Sequence, residues 1–219
     1  AHDQAGPDDY YQQRLGGPAL SALFLADGQH ATLIGFNTLW TTALPGQPYL
    51  FIGAINRTHL DDRQRQSLQD RISRLVAASG LVGLNSLDFM TDTDRGIRVL
   101  EINARPSATL ALYDAAVPGG LLAAHIRACR GELPSVIPPD RCRAFRVMLA
   151  PRRFTVPPRM VWPVWCADRP VSGTVIEPSQ PLCTVNAEGE SAREVEALIR
   201  QRTALLRRLR APSALPLSR

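Results

Sequence analysis

The chain has 219 residues, 45% hydrophobic and 21% charged, a balance that suits one large folded domain or two modest ones. No apolar run approaches the roughly 20 residues of a membrane-spanning helix, and "AHDQAGPDDYYQQ" lacks the basic-then-apolar pattern of a secretion signal. The net charge of +5 rests on 25 basic residues, all arginine, which are scattered and not interleaved with aromatic rings, so nucleic-acid binding is not expected.

The first 57 residues read as strands. "YYQQRL" leads into "GGP", and "ALSALFLADGQHATLIGFNTLW" alternates around a turn at Asp27 and Gly28. From Asp61 to Ser79, Leu68, Ile72, Leu75 and Val76 recur at helical spacing, and Gly80 follows as a stop. A hairpin occupies residues 86–110. "GGLLAAHIRACRG" is a second helix closed by Gly131, and the proline-containing stretch 132–141 is the best boundary. It divides a first lobe, 1–131, from a second, 142–211, with a flexible tail at 212–219. The second lobe reads as short strands and turns, then a helix from about Ser191 with Val195, Leu198, Ile199, Leu205, Leu206 and Leu209 on one face. Cysteines 129, 142, 166 and 183 form no CxxC pair, which argues against zinc and a disulfide framework and favours a reducing cytoplasm. The expected class is α+β, antiparallel sheet carrying helices.

The hairpin "SLDFMTDTDRGIRVLEINARPSATL" carries the chemistry. With "TDTDRG" as its turn, Asp88 faces Glu101, and strand alternation puts Asn103 and Arg105 on the same side. Leu87, Phe89, Leu100, Ile102 and Ala104 then form an apolar face suited to a core. Directly opposed carboxylates repel, which suggests that something positive comes between them. A hard cation such as Mg²⁺ takes oxygen ligands, commonly one or two carboxylates plus substrate phosphates. Asp88, Glu101 and the amide oxygen of Asn103 supply such a set, and Arg105 can hold a phosphate or carboxylate bidentately. The alternative is a solvated polar face in which Arg105 merely offsets the carboxylates. Ser107 is expected to cap a following helix. Trp40 and the stretch 49–55 either border an acceptor pocket or pack in the core. Cys183 reads as a packed thiol, and none of the four histidines offers a metal pair.

"SLDFM" followed by "VLEINARPSATL" resembles the metal-binding signature of the ATP-grasp superfamily, with Ala104 where the family has proline. That resemblance implies a ligase that joins a small-molecule carboxylate to an amine through an acyl-phosphate, with ATP as co-substrate and Mg²⁺ or Mn²⁺ as cofactor. It makes Asp88, Glu101 and Asn103 metal ligands and Arg105 the contact to phosphate or acyl-phosphate. "YYQQRLGG" resembles the family's adenine-flanking strand, which puts Gln12, Gln13 and the backbone around Leu15 against the base. "PLCTVNAEGESAREVEALIRQR" resembles the β-rich C-terminal lobe of the carboxylase and glycinamide-ribotide-synthetase branches. The whole pattern is most similar to ATP-grasp proteins of methylotrophic bacteria related to the tyramine–glutamate ligase of methanofuran biosynthesis. The family's phosphate-binding lysines and glycine-rich lid have no counterpart in this lysine-free sequence. The lysine-bearing N-terminal region is therefore expected in cis or as a separate chain. The rival expectation is a non-catalytic nucleotide- or partner-binding module that keeps the fold without turnover.

Overall fold

The computed structural model describes residue 6 and residues 13–92 and 96–209. Three long strands come first: β1 (Ala19–Asp27), β2 (Ala31–Leu44) and β3 (Gln47–Ile55). The sequence reading extends strand to the "YYQQRL" stretch, but residues 13–15 pair with no strand, and residues 10–12 lie outside the described set. Helix α1 (Asp62–Ser79) follows, then the hairpin of β4 (Val82–Thr91) and β5 (Ile97–Asn103). A 3₁₀ helix (Ala108–Leu112) and α2 (Leu121–Ala128) complete the first half. Beyond come β6 (Cys142–Leu149), β7 (Phe154–Thr155), β8 (Cys166–Ala167), β9 (Val175–Ile176), β10 (Pro181–Gly189) and α3 (Ala192–Leu209).

Eight strands form one antiparallel sheet in the order β5-β4-β1-β2-β3-β6-β10-β8, while β7 and β9 pair separately. β6 joins β3 through Gly53–Ile55, so the sheet runs through both sides of the 132–141 segment. β1 is a near-continuous apolar run because it is flanked by strands and covered on both faces. Leu20, Ala22, Phe24, Leu87 and Phe89 face α1, which buries Leu68, Ile72 and Val76 against them. Each such side chain gains about 1.5–3 kcal/mol from burial. The helix begins where the aspartate-rich stretch allows. Asp61 Oδ1 accepts from the Gln64 N–H at 2.8 Å and the Gln64 side chain accepts from the Asp61 N–H at 3.0 Å, a reciprocal cap. It ends at Gly80, whose φ of 69° suits a residue without a β-carbon.

On the opposite face, Leu23, Leu25, Ile34 and Leu84 meet α2 and the 3₁₀ segment. A third cluster joins β6 and β10 to α3 through Val195, Ile199 and Leu206. Leu205, assigned to that face from spacing, is 46% exposed. Trp40 packs against this third cluster. Cys142, Cys166 and Cys183 are buried, Cys129 is exposed, and none of the four is in a disulfide among the described residues. Among the described residues no helix is long and apolar enough to cross a membrane.

β5 departs from the sequence reading. Leu100 and Ile102, placed on the core-facing side by alternation, are 40% and 38% exposed, and Ile97 alone of the strand's apolar residues packs against a core cluster. β5 is the edge strand, and the cluster under α1, built on β1, β2 and β4, reaches only its first residue, Ile97. A bulge between Asp88 and Phe89 also breaks strict alternation, leaving Leu100 without a partner on β4.

Candidate metal and nucleotide site

Next to the turn, Phe89–Val99, Met90–Arg98 and Thr91–Ile97 run one residue out of step with the predicted register, and the bulge at Leu100 brings Asp88 back opposite Glu101. Asp88 lies directly opposite Glu101, and Asn103 opposite Ser86. Across β4, Asp88 has Ser21 of β1 as its register partner, and Ser21 has Asn37 of β2. Glu101, Asp88, Ser21 and Asn37 thus stand abreast on one sheet face. The row runs from an exposed edge to a buried centre, with Ser21 and Asn37 almost wholly enclosed.

The half-buried Asp88 carboxyl is raised to about 6, first by burial and then by the charge of Glu101. The Asn103 amide relieves part of this repulsion. Its Nδ2 donates to Asp88 Oδ2 at 3.3 Å and to Glu101 Oε1 at 3.2 Å, spanning both carboxylates. Asn103 Oδ1 faces away and accepts from Arg105 Nη2 at 3.2 Å. Arg105 Nη1 donates to the Pro106 carbonyl at 3.4 Å. Among the described residues Arg105 forms no ion pair. It lies beside the carboxylates without being bonded to either.

These residues fit a hard divalent cation. Two carboxylates converge on one point with their repulsion incompletely relieved, and a partial positive charge, the amide N–H₂, already occupies it. For Asn103 to be a ligand, its amide must turn so that Oδ1 faces the carboxylates, releasing Arg105 from its acceptor. Among the described residues there is no cluster of three His, Cys, Asp or Glu side chains that could hold a metal. A two-carboxylate site of this kind matches Mg²⁺, which keeps waters and phosphate oxygens in its shell.

Beside the carboxylates opens a cavity of about 1030 Å³. Gln13 and Leu15 line it, together with Tyr49, Met90 and Leu100. Met90 is two residues beyond Asp88 on its face, and Leu100 precedes Glu101. The bulge therefore assigns Leu100 to this cavity and not to the core. Gly17, at φ 131°, lets residues 13–17 lie against the end of β4, because a β-carbon there would strike the Thr91 carbonyl. Of the adenine-strand residues, Gln13 and Leu15 are thus at the cavity, and Gln12 lies outside the described residues. Tyr49 comes from the stretch considered as an acceptor border. Ser107 precedes the 3₁₀ helix but does not cap it; its hydroxyl pairs with Thr109 Oγ1 at 2.8 Å.

Sequence reasoning missed Ser21, Asn37 and Tyr113. Asn37 Nδ2 donates to Ser21 Oγ at 3.1 Å, and the buried Tyr113 hydroxyl lies 2.8 Å from Asn37 Oδ1. The available signal was two polar residues interrupting apolar strands, which hairpin register places side by side.

Residues 2–109 match the model of the ATP-grasp domain. No curated protein matches the sequence. Among solved structures, the chain is similar to an L-amino acid ligase from Bacillus licheniformis, with a TM-score of 0.67 at 16% identity over 86% of this chain and 51% of that one. It is also similar to N5-carboxyaminoimidazole synthase from Aspergillus clavatus in complex with ADP and its ribonucleotide ligand: TM-score 0.65, 13% identity, 87% of this chain and 51% of that one. Biotin carboxylase from Campylobacter jejuni gives a TM-score of 0.63 at 13% identity, over 85% and 45% of the two chains. The chain spans about half the length of the first two. The ATP-grasp match thus covers residues 2–109, just under half of the chain, and the α+β antiparallel sheet has the fold of these structures.

Proposed function

We propose that the chain supplies the metal and adenine side of an ATP-dependent ligase that joins a small-molecule carboxylate to an amine. The observation that carries this reading is the Asp88–Glu101 pair bridged by the Asn103 amide, with Arg105 close by and bonded to neither carboxylate. A structural ion pair would engage the arginine; here the guanidinium is left for a ligand. Asp88, Glu101 and the turned Asn103 would hold Mg²⁺ or Mn²⁺, which supplies charge neutralisation at the phosphates when bound. Gln12, Gln13 and the backbone near Leu15 would flank the adenine, over the apolar surface of Met90 and Leu100.

In the reaction, a substrate carboxylate oxygen attacks the γ-phosphorus and ADP leaves, giving an acyl-phosphate. The amine nitrogen then attacks the carbonyl carbon, inorganic phosphate departs, and the amine loses a proton. Arg105 orients the transferring phosphoryl group and offsets charge on its oxygens. Asn103 holds Arg105 until its amide turns toward the cation, and that turn frees the guanidinium for the phosphoryl group. The lysine-bearing region that clamps the phosphates would come from elsewhere in the polypeptide or from another chain. An acid and amine of the glutamate and tyramine kind is the finer version of this reading, resting on sequence resemblance alone.

The test is ADP release by the complete ATP-grasp unit, measured with Mg²⁺, an acid panel and an amine panel. Turnover that requires both co-substrates and is lost in Glu101→Gln supports the ligase. Nucleotide binding without any turnover would instead establish the non-catalytic module.

A further inference from the structure

Two arginines far along the sheet have no part in the reaction above. Arg57 follows β3, and Arg65 lies in the first turns of α1; both line a second cavity of about 610 Å³. The cavity exists because β3 pairs with β2 only from Thr38 onward, leaving the outer edge of residues 33–36 without a strand. Tyr113 forms part of its wall, packed so closely over Gly35 that a β-carbon there would collide with the ring.

Both guanidinium groups are half-buried and held in fixed orientations. Arg57 Nη1 donates to the Asn56 carbonyl at 2.8 Å and to Asn56 Oδ1 at 3.2 Å. Arg65 Nε donates to the Leu60 carbonyl at 3.1 Å and Nη2 to Thr58 Oγ1 at 3.1 Å, with its plane centre 5.4 Å from the Phe36 ring centroid. Among the described residues neither arginine forms an ion pair. A guanidinium has five N–H donors, so Arg57 retains Nε and Nη2 and Arg65 retains Nη1. Asp62 is the one acidic residue in the lining. Val136, Pro138 and Pro139 give an apolar wall opposite.

We propose that this cavity is a second anion-binding site, for a small molecule with an oxyanion head, carboxylate or phosphate, and an apolar body. The oxyanion meets the free donors of Arg57 and Arg65, and the body lies against the proline wall. The site is separate from the metal and nucleotide site and stands or falls independently of the ligase reading.

The experiment titrates the nitrogen-15-labelled chain with inorganic phosphate in one arm and benzoate in the other, following arginine side-chain N–H signals by NMR. Saturable shifts confined to Arg57 and Arg65 are expected, and the arm that saturates at lower concentration identifies the head group. Arg57→Gln and Arg65→Gln should each weaken binding about tenfold, the scale of one charge-assisted hydrogen bond. Arg57→Lys, which keeps charge and loses the fork, should also weaken it. Asp88→Asn should leave it unchanged. Non-saturating shifts, or shifts spread equally over surface arginines, overturn the proposal without recourse to variants. So do unaltered affinity in both glutamine variants, or a changed affinity in Asp88→Asn, which would put the anion at the metal site.

Discussion

β4 and β5 are neighbours in one hairpin, yet they live in different environments. β4 lies between β5 and β1 and buries Leu84, Leu87 and Phe89, whereas Val99 and Ile102 of β5 face solvent at the sheet edge. Each strand contributes one carboxylate to the same site. Asp88 is consequently fixed and partly desolvated, while Glu101 sits on a strand held from one side only. The lesson is a division of labour: a buried strand sets the position of the site, and an edge strand leaves it open to a ligand.

The most severe way to break that comparison is to empty the core under each strand. Phe89→Ala should cost about 3–5 kcal/mol, as for large buried aromatics, and Ile102→Ala less than about 1 kcal/mol. Denaturant unfolding of both variants measures this; equal costs would mean that β5 is covered after all. Next in size is cation affinity. Asp88→Asn and Glu101→Gln should each reduce Mg²⁺ affinity by about 100-fold or more, on the scale seen when groups supporting a metal are removed. Calorimetric titration with the metal alone reads it, and undiminished affinity in both would remove the metal assignment.

A smaller effect appears without metal. The folded-state value for Asp88, about 6, lies above the 3.8 of an unperturbed aspartate. The folded state therefore binds more protons between these values, so the stability linked to Asp88 is full below about 3.8 and is lost as pH rises through about 6. Asp88→Asn should be more stable than the parent by about 1–2 kcal/mol near neutral pH, after allowance for solvent screening. Its advantage should fade on acidification, which thermal melts across that range would follow. An advantage that grows on acidification would reverse the sign and refute the linkage. Smallest is Glu101→Gln, expected to leave metal-free stability unchanged or raised by up to about 1 kcal/mol, the scale of a cross-strand pair. A clear loss of stability in its melt would show that Glu101 forms a stabilising ion pair.

The hairpin was readable because its turn residues and period-two spacing act over short range. The chain reverses between Asp92 and Gly96, which share a backbone hydrogen bond, but Asp88 comes opposite Glu101 only through the bulge at Leu100. α1 was readable for the same reason, with Asp61 and Gly80 marking its ends. The exposure of Ile102 and Ala104 was not, since alternation reports which residues share a face and not whether anything covers it. Leu100 was misassigned because a bulge is one residue's departure from alternation, invisible to pattern. Tyr113 joins the Ser21–Asn37 pair through a contact 76 residues apart in sequence, which no local signal encodes. Leu205 shows the same limit, since helical spacing fixes a direction but not the breadth of the surface it meets.

The strand order has a consequence for how the chain acquires its shape during synthesis. β1 pairs with β2 almost immediately, but its other neighbour is β4, whose last residue is Thr91. At translation rates of about 5–20 residues per second, that edge of β1 waits roughly 3–13 s for its partner. β3 waits longer, because Ile55 meets Ala144 of β6 only after α1, the hairpin and α2 have emerged. Through that interval β1 and β3 are each paired along one edge only.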